Sequence, residues 1–425
     1  MFYGELDKAS LVSEQAKLTA QYQAYQAQSL KLDMSRGKPG TDQLELSMEM
    51  LNMPLSVSDF VCEGGIDARN YGFLEGIPEA RRLMGDILGM PAEQIIVGGT
   101  SSLNLMYDFI AKGMTHGFSG ELPWSKQGKI RFLCPCPGYD RHFMVTETFG
   151  IELVPVPMLS TGPDMDRVEE LVKDPSVKGM WCVPKYSNPD GITYSDETVR
   201  RIAALRPAAK DFRIMWDNAY AVHDLHEEGD SLLNLYDECV KQGSEDMVAA
   251  FCSTSKITFP GGGISAMGLS KANFEYMKNL MGFQTICYDK INQLRHARFF
   301  KNMDGIRAHM KKHAALIRPK FDVVCDMLDK ELVSRGIGRY HRPNGGYFVS
   351  FFTPEGCAER TVQLCREAGV VMTPAGASYP YGKDPSDSNI RIAPTFPSLE
   401  ELETAMQLFC LCVRLAALEN LLKAA

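Results

Sequence analysis

Between residues 94 and 269 the chain alternates two textures, and that alternation restricts its fold more than any other feature. Short apolar runs occur at Gln94–Val97, Ile130–Cys134, Ile151–Val156, Gly179–Val183, Phe212–Trp216, Met247–Cys252 and Ile264–Leu269. They lack the apolar–polar alternation of a half-exposed strand, so they read as strands buried on both faces. Helical spacing fills most of the intervals, at Leu103–Lys112, Asp164–Lys173 and Ser195–Leu205, and precedes the first run at Pro78–Gly89. Ser195 stands before Asp196 and Glu197, an N-cap followed by acids in the first turn. Such alternation predicts an α/β fold: a seven-stranded, mostly parallel sheet with helices on both faces. The stretch from Cys252 to Ile264 is too short for a crossover helix, so the last strand should return antiparallel.

Beyond about residue 287 the texture changes. Long helical stretches run from Asp289 to about Ser334, followed by a strand-like segment at Gly346–Phe352, a helix at Cys357–Ala368, a strand at Asn389–Ala393 and a last helix opened by the capping box Ser398-Leu-Glu-Glu401. The expected organisation is an N-terminal arm (1–45) packing on the small domain, a large domain (46–300) and a smaller α+β domain (301–425). A net charge of −8 argues against nucleic acid or an anionic membrane as a main partner. The twelve cysteines form no CxxC pair, which excludes a zinc knuckle and leaves no metal site to expect. Many sit in apolar runs as small hydrophobes. With no basic-then-apolar leader and no uninterrupted span of roughly 18 apolar residues, they point to a cytoplasmic protein.

Ligands of open α/β sheets bind beyond the carboxyl ends of the strands, so the residues just after each run are the candidates. Gly98-Gly-Thr-Ser-Ser102 follows the first run. Its glycines and the hydroxyls of Thr100, Ser101 and Ser102 open a helix and can cradle an anion. Tyr139 follows the second run, where its ring could lie on a flat ligand. Asn188, held off the α region by Pro189, follows the fourth. Asp217 ends the fifth, with Tyr220 three residues on. A carboxylate there is costly unless it meets a cation. After the sixth comes Ser253-Thr-Ser-Lys-Ile-Thr-Phe-Pro-Gly-Gly-Gly263, where Lys256 stands between hydroxyl residues, among them Ser253 and Ser255. Each feature alone has an ordinary structural explanation: a turn, an N-cap, a surface lysine. Together they supply a lysine for a Schiff base, an acid for a ring nitrogen, an amide and a phenol for a ring oxygen, a stacking ring and a phosphate cradle. Those are the handles of pyridoxal 5′-phosphate.

The chain resembles the fold type I, pyridoxal-phosphate-dependent aminotransferases, and among them the bacterial aspartate aminotransferase subgroup Ic. The resemblance runs from Asp33-Met-Ser-Arg-Gly-Lys-Pro39 to Arg391-Ile-Ala393 and is most specific at Pro137-Gly-Tyr-Asp-Arg-His-Phe143, Ser253-Thr-Ser-Lys-Ile-Thr-Phe259 and Asp289-Lys-Ile-Asn-Gln-Leu-Arg-His296. It implies that Lys256 carries the cofactor, Asp217 pairs with its ring nitrogen, Asn188 and Tyr220 bind the ring oxygen and Tyr139 stacks on the ring. Ser101 and Ser102 would hold phosphate, and Tyr71 would reach phosphate across a homodimer with shared active sites. Arg391 would bind the substrate's α-carboxylate. Arg36, with Gly37 on an arm expected to fold over the site, would take a side-chain carboxylate. The implied substrates are amino acids and 2-oxo acids, with aspartate and 2-oxoglutarate foremost. A carbon–sulfur lyase or β-decarboxylase on the same frame would present the same handles. A non-catalytic sensor would need a DNA-binding module, for which the arm is too short. One departure stands out. The arginine that usually follows the lysine and clamps phosphate is missing, with Gly263 in its place, and Lys290 is the candidate to supply that cation in trans.

Overall fold

The computed structural model describes residues 2–53 and 56–424; Met1, Pro54, Leu55 and Ala425 lie outside the described residues. The main sheet has eight strands, in spatial order Ile95–Val97, Ser265–Leu269, Val248–Ser253, Arg213–Asp217, Val177–Cys182, Arg131–Cys136, Glu152–Leu159 and Gly162–Pro163. The seven apolar runs account for seven of them. The eighth is a two-residue antiparallel edge, too short to leave an apolar signature. The strand Ser265–Leu269 returns antiparallel to both of its neighbours. The other long strands are mutually parallel, so their carboxyl ends share one edge.

The strands are apolar throughout because alternate residues enter two different cores. In Arg213–Asp217, Ile214 and Trp216 face one cluster with Leu83, Val199 and Ile202, while Met215 faces another with Phe109, Phe132 and Met277. Phe251 and Cys252 divide the same way. The helices are punctuated as their sequences require. Ser195 caps Asp196–Ala203 by accepting from the Thr198 N–H, and Gly89 ends Pro78–Leu88 in the left-handed conformation, φ 64°.

A third core joins the N-terminal arm to the C-terminal elements, and Val183, Tyr186, Tyr220 and Leu225 also enter it. Leu11, Leu18 and Tyr22, from the arm helix Lys8–Gln26, pack with Val324 and Leu328 of the helix Met303–Glu331 and with Phe409 and Val413 of Leu399–Ala424. Leu32–Asp33 adds a parallel pair with Val370–Val371, and Tyr22 Oη donates to the Leu364 carbonyl at 2.8 Å. The last helix has a mean hydropathy of 1.5 over its most apolar stretch, enough to span a bilayer, but 67% of that stretch is buried. Its partners are the arm helix, Met303–Glu331 and Ala358–Glu367, which explains apolar residues on every side.

This packing predicts that Leu18→Ala loosens the arm. The cavity should cost about 2–4 kcal/mol. Hydrogen exchange should accelerate in residues 8–34, while the amides of the main sheet keep their protection. Uniform acceleration across both domains would show that the arm is not a separable layer.

Candidate active site

Asp217 closes a strand whose neighbours on both sides lock its backbone, through Phe251 opposite Asp217 and Cys182 opposite Trp216. It is 3% exposed. Oδ2 accepts from His142 Nε2 at 2.9 Å, and Oδ1 is buried without a partner. His142 is itself fixed: its ring stacks on Trp181 at 4.2 Å with an interplanar angle of 8°. Trp181 Nε1 in turn donates to Thr146 Oγ1, which donates to the His142 carbonyl. A carboxylate oxygen left unpaired in so dry a place is costly. It asks for a donor from the cavity, which a protonated ring nitrogen provides.

That cavity has a volume of about 560 Å³ and brings together Lys256, Asp217, Tyr220, Asn188, Tyr139, Ser101, Ser102, Ser253, Ser255, Arg36, Gly37 and Arg391. Lys256 Nζ lies 4.9 Å from the centre of the Tyr220 ring and 5.8 Å from that of Tyr347. Burial lowers its pKa below the usual lysine value, and Asp217 partly offsets this. Burial, with Tyr139 and Asp217 nearby, holds the Tyr220 phenol well above its ordinary pKa, so it stays protonated and able to donate. Tyr139 is pushed up to about 12 by burial and by Asp140 and Asp217.

The loop after Lys256 is closed from beneath. Thr254 Oγ1 accepts from the Ile264 N–H at 2.9 Å, and Asn292 Nδ2 donates to the carbonyls of Gly262 and Gly263. A Cβ on Gly263 would stand 2.9 Å from Thr254 Oγ1 and 3.0 Å from the Phe259 carbonyl. A side chain at this position would require Thr254 and the Phe259 carbonyl to shift. Ser255 Oγ donates to the Thr100 carbonyl and Ser265 Oγ to the Gly99 carbonyl, at 2.9 and 2.8 Å. These bonds fix the turn before the helix Ser102–His116, whose first N–H groups have no helical acceptors. Thr100 acts through its carbonyl and does not line the cavity.

The small domain supplies the opposite wall. Arg391 lies on the strand Asn389–Ile392, with its guanidinium 5.0 Å over the Phe348 ring. Nη1 donates to Asp140 Oδ1 at 3.0 Å and Asn188 Oδ1 at 3.4 Å. Gly37 packs where a Cβ would meet Phe348 at 2.3 Å, so only glycine lets the arm carry Arg36 this close. Sequence reasoning missed His142, Asp140, Arg141 and Phe348. His142 lies one helical turn after Tyr139, a spacing that could have revealed it.

Besides Thr100, two further expected cofactor contacts lie outside the cavity. Tyr71 is 77% exposed on the surface of its own chain. Lys290, the candidate to reach a partner's phosphate, is 2% exposed within its own chain, and Nζ donates to the Gly72 carbonyl at 2.9 Å, beside the loop that carries Tyr71. Within the cavity, the observed features fit pyridoxal phosphate: an unpaired buried oxygen opposite a lysine, and a helix N-terminus with two serines.

The chain matches the family described as aspartate aminotransferase over residues 6–424. An aspartate aminotransferase of Corynebacterium glutamicum is 46% identical over 395 residues, spanning 93% of this chain and 91% of that protein. The crystal structure of an aspartate transaminase from Corynebacterium glutamicum superposes with a TM-score of 0.95 at 43% identity, over 98% of each chain. An α-aminoadipate aminotransferase from Thermus thermophilus, solved with N-(5′-phosphopyridoxyl)-L-leucine, shares the fold at a TM-score of 0.72 and 20% identity, over 96% of this chain and 97% of that one. The chain belongs to the aspartate aminotransferase family of fold type I, whose enzymes depend on pyridoxal 5′-phosphate.

Proposed function

We propose that this aminotransferase takes its amino group from aspartate and passes it to 2-oxoglutarate. The observation that carries this reading is a pair of guanidinia, Arg391 and Arg36, in the same cavity as Lys256. A substrate with two carboxylates uses both, and one with a single carboxylate uses only one. The planar fork of arginine suits each carboxylate.

Bound pyridoxal phosphate supplies an electron-accepting ring that makes the α-proton of an attached amino acid labile. The residues of the chain do the rest. Asp217 Oδ1 would accept a hydrogen bond from the ring N–H and so keep that nitrogen protonated, and His142 keeps the carboxylate aimed. Asn188 and Tyr220 would donate to the ring oxygen, and Tyr139 would cover the ring's face. Ser101, Ser102, Ser253 and Ser255 would surround the phosphate. Lys256 Nζ, its basicity lowered by burial, would take the substrate's α-proton and deliver it to the carbon on the other side of the imine nitrogen. Arg391 orients the substrate by its α-carboxylate.

The working unit in this reading is a homodimer. Tyr71 and Phe73 are exposed on a loop that Lys290 ties to the segment carrying Phe283, 85% exposed, and Ile286. Such an apolar surface favours a second copy, and Tyr71 would then reach the partner's phosphate. The cysteines are all unpaired, in keeping with a cytoplasmic setting.

Two variants test the assignments. Lys256→Ala should abolish transamination and remove the pyridoxyl label that borohydride fixes to the protein; a label retained on another lysine, such as Lys185, would move the attachment site. Arg36→Ala should raise KM for aspartate by tens- to a thousandfold, the equivalent of about 2–4 kcal/mol, and leave KM for alanine nearly unchanged. Equal losses for both amino acids would reject Arg36 as the reader of the side-chain carboxylate.

A further inference from the structure

Asp140 places a carboxylate against the guanidinium that the proposed function reserves for the substrate's own. Its Oδ1 accepts from Arg391 Nη1 at 3.0 Å, and both residues line the active-site cavity. Arg391 has no spare edge to offset this. Nε is buried without a partner, so a ligand from the cavity must approach the two terminal nitrogens, and Asp140 already holds one of them. A substrate carboxylate and Asp140 cannot both occupy Nη1 without two like charges in contact.

We infer that Asp140 is a built-in competitor for the α-carboxylate site: it neutralises Arg391 when no substrate is bound and is displaced by the incoming carboxylate. The inference rests on the proposed role of Arg391 as the α-carboxylate site. The geometry makes displacement easy. Asp140 is the first residue of the helix Asp140–Thr148, so its freed carboxylate stays beside that helix's unpaired N–H groups, where an acid is favoured. Its side chain is 29% exposed and can regain water, whereas the side chain of Arg391 is 9% exposed and cannot. Asp140 thus keeps a buried guanidinium from standing uncompensated in the empty enzyme. The consequence is weaker binding of every carboxylate ligand, whatever its side chain, so Asp140 sets general affinity while Arg36 discriminates between substrates.

The test uses the holoenzyme and two simple ligands, propionate and succinate, with affinity read by titration calorimetry. Asp140→Asn should tighten both by about two- to fivefold, the range of a partly exposed ion pair. Asp140→Ala should do the same, which separates loss of charge from a misplaced amide. In both variants KM should fall for aspartate and alanine alike. Wild-type or weaker binding of propionate in both variants would overturn the inference and make Asp140 a residue that merely aligns Arg391. Arg391→Lys is the control for the α-carboxylate role and should weaken propionate at least about tenfold. If it does so while the Asp140 variants fail to tighten, only the competitor role falls. If propionate ignores Arg391→Lys, the carboxylate site lies elsewhere and both readings fall.

Discussion

The active site depends on one buried carboxylate. Asp217 lies at the end of a central strand with one oxygen bonded to His142 and the other bare. Holding a charge there costs several kcal/mol unless opposite charge or a strong donor meets it. Lys256 gives part of the answer from across the cavity, and the same burial that makes Asp217 costly lowers the lysine's proton affinity. Neither group is fully satisfied by the protein. The site is therefore poised for a ligand that brings a ring N–H to one and a carbonyl carbon to the other.

The surrounding structure makes that poise rigid. Paired strands on both sides fix Asp217, and the stack of His142 on Trp181 keeps the histidine from turning away. Hydroxyl-to-carbonyl bonds from Ser255 and Ser265 tie the Lys256 loop and its antiparallel return to the turn that opens the helix Ser102–His116. Preorganisation of this kind lets groups act without rearranging during reaction. The substrate side is built differently. Arg391, Phe348 and Arg36 come from the small domain and the arm, whose core is separate from the two cores that sandwich the sheet. The two walls of the cavity thus come from different layers, joined where Val183 and Tyr220 enter the core of the arm and the C-terminal elements.

The large domain was legible because burial on two faces writes a simple signal: a strand that feeds two cores is apolar at every position, as Ile214, Met215 and Trp216 are. The candidate residues came with it, since parallel strands deliver their C-terminal neighbours, Tyr139, Asn188, Asp217 and Lys256 among them, to one edge of the sheet. Other features left no local trace. The edge strand Gly162–Pro163 is two residues long. Asp140 meets Arg391 across 251 positions, and nothing near either residue encodes the pairing. The bond from Lys290 to the Gly72 carbonyl likewise joins residues far apart in sequence, and nothing local encodes it. The absence of an arginine at Gly263 is visible in the sequence; the close approach of Thr254 and Phe259 to that glycine is visible only in the structure.

The central claim is that Asp217 Oδ1 exists to hold a proton on the cofactor's ring nitrogen. The direct measurement is the ¹⁵N NMR shift of the holoenzyme reconstituted with pyridoxal phosphate labelled at that nitrogen. The account predicts a protonated nitrogen in the wild type that persists well above neutral pH, and an unprotonated one in Asp217→Ala at the same pH. Each unit by which Asp217 raises the nitrogen's pKa corresponds to about 1.4 kcal/mol. An unprotonated ring nitrogen in the wild type at neutral pH, or a shift unaffected by Asp217→Ala, would contradict it.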